Sequence, residues 1–217
     1  MKSYKYLIAA AVVGLTLVGA AQANLLLNES FETIEPGDTN FTWLAANWWR
    51  DQTPGFADMV DRNNWNPRSG SWDMLVKGWN YTNSGRFGQW VGNAVPIGTI
   101  LTFSIWGDCE ADFTASDVRL GIELFYTGGV LTNSQSIYSD FLLQPGTYGL
   151  YTFVTTATVA NIYGMSAYVH VDNVTAASGS RSVYFDDAML GIPEPTVAGL
   201  LAVGGLLFAG LRRRMRK

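Results

Sequence analysis

The stretch 118–126, Val-Arg-Leu-Gly-Ile-Glu-Leu-Phe-Tyr, constrains the fold more than any other part of the chain. Val118, Leu120, Ile122, Leu124 and Tyr126 fall on one side of an extended backbone, and Glu123 falls on the other. A slip of one residue would turn that apolar set into water, so the segment requires a sheet with one buried face. Residues 99–106 repeat the pattern, with Leu101, Phe103 and Ile105 opposite Thr102 and Ser104. In 167–171, Ala167, Val169 and Val171 share a face, with His170 and Asp172 opposite. Short runs rich in β-branched and aromatic residues add expected strands at 25–28, 71–77, 87–91, 149–156 and 182–190. Gly128-Gly129 and Pro145-Gly146 supply turns between them. No segment of the body carries a long helical apolar stripe. The expectation is an all-β fold, two antiparallel sheets packed as a sandwich.

The two ends follow other rules. Lys2 and Lys5 precede an apolar run at 7–18 and then Ala21-Gln22-Ala23. This is the order of a secretory signal peptide cut after Ala23, with a retained anchor as the alternative. At the far end Pro193, Glu194 and Pro195 precede an uncharged run at 196–211, followed by Arg212, Arg213, Arg214, Arg216 and Lys217. Proline interrupts regular structure, the run suits one transmembrane helix of minimal length, and a basic cluster stays cytoplasmic. In all three parts this order resembles the PEP-CTERM sorting signal of Gram-negative envelope proteins. The resemblance implies an exosortase-like membrane protease as partner and a transient inner-membrane intermediate. It also implies cleavage near the proline motif and delivery to the cell surface or extracellular matrix, where such substrates accompany exopolysaccharide and biofilm. The expected division is therefore 1–23 signal peptide, 24–190 β-sandwich and 191–217 sorting signal.

Setting the ends aside changes the charge. Of 14 Lys and Arg, seven lie in the terminal segments, whereas all 18 acids lie between Glu29 and Glu194. The exported part up to Glu194 therefore carries 7 − 18 = −11, which argues against a nucleic-acid partner, because a phosphate backbone needs a broad basic surface. The single cysteine, Cys109, makes no intramolecular disulfide, so a packed core must supply the stability.

Two stretches break the strand pattern. Residues 35–66 are long, polar and rich in tryptophan, and 78–86 form a hydrophilic, hairpin-like connection. Sugar recognition needs flat apolar faces with polar groups beside them. Trp48, Trp49, Trp65, Trp79 and Tyr81 lie in these stretches, next to Asn47, Arg50, Asn64 and Asn80, and form the expected platform. The plainer alternative has them pinning loops to the sandwich. Trp72, Trp90 and Trp106 sit in strand patterns and are expected in the core.

The body also carries family-like motifs. The opening Asn24-Leu-Leu-Leu-Asn-Glu-Ser-Phe-Glu32, then Ser69-Gly70-Ser71-Trp72, Gln89 and Pro96-Ile-Gly-Thr-Ile-Leu-Thr-Phe-Ser-Ile-Trp106 come in order. Val183-Tyr-Phe-Asp-Asp-Ala-Met-Leu190 closes the series. Together they resemble the galactose-binding-like, jelly-roll carbohydrate-binding modules. Two positions depart from the family pattern: Glu29-Ser30 replaces a glycine, and Leu101 replaces an aromatic residue. The resemblance implies a two-sheet antiparallel jelly roll, extracellular polysaccharide as ligand, and one structural calcium between the first and last strands. Glu32 and Asp186 are its implied ligands, with Asp187 facing away. The alternative is that these acids merely cap strand ends.

Catalysis finds little footing. His170, the single histidine, lies mid-strand between valines, which leaves no nucleophilic triad and no histidine-rich zinc site. The alternating acids Asp108, Glu110 and Asp112 could hold a cation or hydrogen-bond a sugar, or simply end a strand. Glu123 with Glu110 or Asp108 is the one pair considered for a glycoside hydrolase, which needs two carboxylates about 5–9 Å apart. The expectation is a non-catalytic protein that binds extracellular carbohydrate. A structural matrix protein without a sugar site, and a glycoside hydrolase, remain as alternatives.

Overall fold

The computed structural model describes residues 22–36, 44–52, 60–78, 83–111, 113, 117–128, 131–174 and 181–193. Residues 1–21 of the expected signal peptide, Trp79, Tyr81, Asp112, Glu194, Pro195, the apolar run and the basic tail lie outside the described residues. Among those described, no helix is long and apolar enough to cross a membrane. By its contacts the chain divides into Asn24–Gly191 and a second unit, Met1–Ala23 with Ile192–Lys217. The first unit holds the body of both sheets.

Strands β1 (Gln22–Asn24), β2 (Trp49–Gln52), β3 (Val60–Asn63), β4 (Asp73–Gly78) and β5 (Asn83–Val91) come first. They are followed by β6 (Ile100–Cys109), β7 (Asp117–Gly128), β8 (Leu131–Asp140), β9 (Gly149–Thr156), β10 (Ile162–Val174) and β11 (Arg181–Pro193). The first sheet runs β3-β4-β11-β6-β9, with β1 also on β11, and the second runs β2-β5-β10-β7-β8. The pairings from β2 onward are antiparallel. The protein is a jelly-roll β-sandwich.

The alternating residues behave as their periodicity requires. Leu101, Phe103 and Ile105 from the first sheet face Leu120, Ile122, Leu124, Ala167 and Val169 from the second, all at most 1% exposed. At one end an aromatic cluster joins the sheets: Phe31 to Trp48 at 4.8 Å, Trp48 to Phe87 at 5.8 Å and Phe87 to Phe185 at 5.5 Å between centroids. Truncating one of these phenylalanines to alanine should cost about 3–5 kcal/mol.

The motif residues turn out to be clamps. Asn24 accepts from the Leu190 amide and donates to Ala188 O, fastening the opening segment to the last strand. Gln89 accepts from the Leu27 amide at 2.6 Å and donates to its carbonyl at 2.7 Å. This side chain, 2% exposed, satisfies a backbone stretch that no strand pairs, and so ties the N-terminal segment to β5.

Several expectations change. Residues 25–28 form no strand; the paired segment is β1, just before them. The polar break 35–66 holds two short strands, β2 and β3, and the Ser- and Asn-rich 131–140 is the edge strand β8. Because β4 and β5 belong to different sheets, 78–86 crosses between sheets and is no hairpin.

Candidate functional site

The outward side of the second sheet is where register brings unlike side chains together. Across its five strands Trp49 pairs with Gly88, Gly88 with Tyr168, Tyr168 with Gly121 and Gly121 with Tyr138. Rings thus alternate with glycines along a line crossing the strands. The glycines are there for space. A Cβ on Gly88 would meet the Trp49 ring and the Ala167 carbonyl at 2.5 Å, and one on Gly121 would overlap the Tyr168 phenol. The rings therefore lie down over the sheet instead of standing away from it. Tyr168 fills the centre and is only 4% exposed, while Trp49 is half-buried and Tyr138 is 51% exposed. Burial raises the pKa of the Tyr168 hydroxyl, with Ser136 and Arg86 opposing the rise, so it stays protonated at neutral pH.

Two further rows flank this one. On one side Trp90, Ser166, Glu123 and Ser136 lie in register. Trp90 is 53% exposed and lies over Gly92 and Gly164, where added Cβ atoms would meet it at 2.8 and 2.9 Å. Ser166 accepts from the Trp49 indole N–H at 3.1 Å and fixes that ring. On the other side Asp51, Arg86, His170, Arg119 and Asp140 follow one another from strand to strand. With strands about 4.8 Å apart, each full row extends roughly 19 Å. A chain molecule laid across the strands would meet apolar ring faces in the middle and hydrogen-bonding groups on both sides.

The expected platform does not assemble as one site. Trp48 is a core residue, 3% exposed, its indole N–H donating to Asn28 O at 3.1 Å. Its neighbour Trp49, one step along β2, faces outward into the ring row. Trp65, 59% exposed, lies on the opposite side of the sandwich with the Lys77 ammonium 4.2 Å from its ring centre. Trp79 and Tyr81 fall outside the described residues. The expected core tryptophans are corrected too: Trp90 is exposed, and Trp72 and Trp106 are half-buried beneath Arg62 and Arg68 at 3.7 and 3.8 Å. Sequence reasoning passes over Tyr168, Tyr138, Arg86 and Arg119. The signal for the ring row is Gly88, Gly121 and Gly164, which sit in strands that gain nothing from them unless a ring lies above, with Gly92 just past the end of β5.

The acids near the first and last strands serve a loop. Glu32 accepts from the Ser71 and Trp72 amides at 2.9 and 3.1 Å, and Asp186 from the Arg68 and Ser69 amides at 3.0 and 2.8 Å. Asp187 does not face away as expected, because a bulge between Asp186 and Met189 and a φ of 48° turn it to the same loop. There it accepts from Ser69 Oγ at 2.9 Å and pairs with Arg68. Ca²⁺ needs six to eight oxygen ligands. Here hydrogen-bond donors occupy Oε1 of Glu32 and both oxygens of Asp186 and Asp187, and among the described residues no group of three or more Asp, Glu, His or Cys could hold a metal. The arrangement fits a hydrogen-bonded latch and does not fit a calcium shell.

Carboxylates on the first sheet are likewise committed. Asp108 accepts from the Asn66 amide side chain and the Thr147 backbone, both at 3.0 Å, and Glu110 accepts from Ser182 N and Tyr184 OH. They border a cleft of about 470 Å³ with Trp65 and Tyr184. Glu123 lies on the other sheet's outward face, so it cannot meet either acid across a sugar. Beside them Asp73 is fully buried, and neither of its oxygens completes a hydrogen bond among the described residues. Burial lifts its pKa to about 8. Its cross-strand neighbour Asp186 is lifted to about 6, again mainly by burial. Cys109 is buried, and its thiol is pushed up to about 11, which keeps it unreactive.

No protein-family model matches the chain, and no curated protein matches it. Among solved structures it is similar to the xylan-binding domain CBM22-1 of Paenibacillus barcinonensis Xyn10C, with TM-score 0.52 and 13% identity over 82% of this chain and all of that one. The body has the jelly-roll fold of carbohydrate-binding modules. The tandem CBM22-1-CBM22-2 of the same protein gives TM-score 0.51 at 13% identity, over 82% of this chain and 48% of that one. The enzymatically active domain of tailspike protein 4 from bacteriophage CBA120 gives 0.55 at 16% identity, over 78% of this chain. This chain spans 21% of that tailspike chain. At such identities the likeness is one of fold.

Proposed function

We propose that the protein is a non-catalytic, exported carbohydrate-binding protein that receives an extracellular polysaccharide on the outward face of its second sheet. One observation carries the reading: Trp49, Tyr168 and Tyr138 alternate with Gly88 and Gly121 in register across the strands, and Gly92 and Gly164 make room for the exposed Trp90 ring beside them. Such rings offer apolar faces to the C–H side of a sugar, while Ser136 and Glu123 stand ready for its hydroxyls. The likeness of the frame to a xylan-binding module supports this use of it. The purified protein should be retarded in native gels cast with at least one polysaccharide of a broad panel. Uniform mobility across the panel would transfer the proposal to a structural matrix protein without a sugar site.

Export and sorting belong to the same proposal. Lys2 to Ala23 directs secretion, and Pro193, Glu194, Pro195, the apolar run and Arg212, Arg213 and Arg214 address an exosortase-like protease after brief residence in the inner membrane. The body then reaches the cell surface or matrix. Mass spectrometry of mature protein from the native host should find no Arg212-containing peptide; its presence refutes the processing step.

A further inference from the structure

The body's cations are unevenly used. Arg50 pairs with Asp61, Arg62 donates to the Phe31 and Glu32 carbonyls, Arg68 pairs with Asp187, and Lys77 lies over Trp65. All four hold loops or join elements. Arg86 and Arg119 differ. Both point outward from the second sheet, on the row beside the rings, with His170 between them in register. Two strand spacings separate their Cα atoms, about 10 Å.

Each guanidinium is oriented by a ring. Arg86 lies 5.1 Å from the Trp49 centre and 5.5 Å from that of Tyr168, and Arg119 lies 5.1 Å from that of Tyr138. A planar fork held in this way presents its N–H groups in a fixed direction, the geometry that suits a carboxylate. The protein's own acids sit at the outer ends of the row. Asp51 meets Arg86 Nη2 at 3.5 Å with its side chain 67% exposed, and Asp140 meets Arg119 Nε at 3.1 Å with 61% exposed. Pairs this open to water contribute little and exchange readily for a better-placed anion. Of the other acids on this face, Asp172 accepts from Ser84 Oγ, Asp117 stands opposite it in register one row beyond the arginines, and Glu123 lies beyond the ring row. The row therefore reads negative, positive, imidazole, positive, negative, with its cationic part at the centre.

We infer that the glycan taken by this face carries carboxylates, a uronate-containing polysaccharide, with an acid group received between Arg86 and Arg119 while its ring rests on Trp49 or Tyr138. The inference rests on the reading of this face as a glycan platform.

Polygalacturonate and its fully methyl-esterified form share one backbone and differ in charge, so they test the assignment directly. Isothermal titration should give the acid form about tenfold tighter binding, equivalent to roughly 1.4 kcal/mol. Replacing both arginines (R86Q/R119Q), or Arg119 alone if the double variant loses its melting transition, should abolish that preference and keep binding to the ester. Equal affinity for the two forms, or a preference for the ester, overturns the inference and leaves the glycan reading intact. So does dextran sulfate bound as tightly as polygalacturonate, since any anion would then serve. Failure of every polysaccharide, charged or neutral, defeats the glycan reading itself.

Discussion

The two outward faces of this sandwich carry similar residue types and use them in opposite ways. On the first sheet, Asp73, Leu75, Lys77, Asp108, Ser182, Tyr184 and Asp186 point away from the core, yet each is at most 6% exposed. The segment running through Trp65, Asn66 and Arg68 covers them, latched by Glu32, Asp186 and Asp187. On the second sheet the rings of Trp90 and Tyr138 lie under no such cover among the described residues. Outward direction and availability are thus separate properties. A sheet face becomes a binding surface only where its own loops leave it uncovered.

That contrast can be broken or sharpened by measurement. The largest effect belongs to the covered face. Asp73 and Asp186 have folded pKa values near 8 and 6, above the ordinary carboxylate value of 3.8. Between about pH 4 and pH 8 the folded state therefore holds protons that the unfolded chain has released, so stability falls as pH rises through this window. The melting temperature should be roughly 5–10 °C lower at pH 8.5 than at pH 5. Asp73→Asn should flatten most of that slope. A melting temperature that rises toward pH 8.5 would mean that Asp73 is not held in this environment.

Next comes the open face. Trp49→Ala should weaken glycan binding at least about 30-fold, near 2 kcal/mol, whereas Trp65→Ala should leave affinity unchanged. Titration of both variants against the same polysaccharide decides the matter, and the reverse ranking would move the site to the cleft beside Asp108 and Glu110. A smaller change is expected from Glu32→Gln, which weakens two amide–carboxylate bonds and should cost about 1 kcal/mol in denaturant unfolding without altering affinity. Smallest of all, excess EDTA should shift the melting temperature by less than about 1 °C, because hydrogen bonds close the latch. A clear fall would restore calcium to Glu32 and Asp186.

Much of the frame is legible from alternation. Residues 118–126 and 99–106 have one strong apolar face each, and such a pattern survives whatever the sheet pairs with. Strand β8 is not legible, because an edge strand needs few apolar residues and Leu131-Thr-Asn-Ser-Gln-Ser reads as a loop. The site is less legible still. Whether Trp48 or Trp49 faces the core depends on how β2 registers against β5, which neither residue's neighbours reveal. Trp90 reads as core because alternation around it is weak, and the room made by Gly92 and Gly164 emerges only once β10 lies alongside. The acids are visible in the sequence, but the bulge at Asp187, which turns them toward one loop, is not.

The adjacency of Trp48 and Trp49 has a consequence for how this surface tolerates change. Strand β2 is four residues long and sits at the edge of its sheet, where little resists sliding. A slide of one position would drive Trp49 inward and leave Trp48 outside, erasing the ligand face while preserving composition. Trp48, seated between Phe31 and Phe87 and hydrogen-bonded to Asn28, acts as the detent that stops this motion. Length variation in the connection at 37–43 should therefore be harmless to binding. An insertion between Ala46 and Trp49 should not.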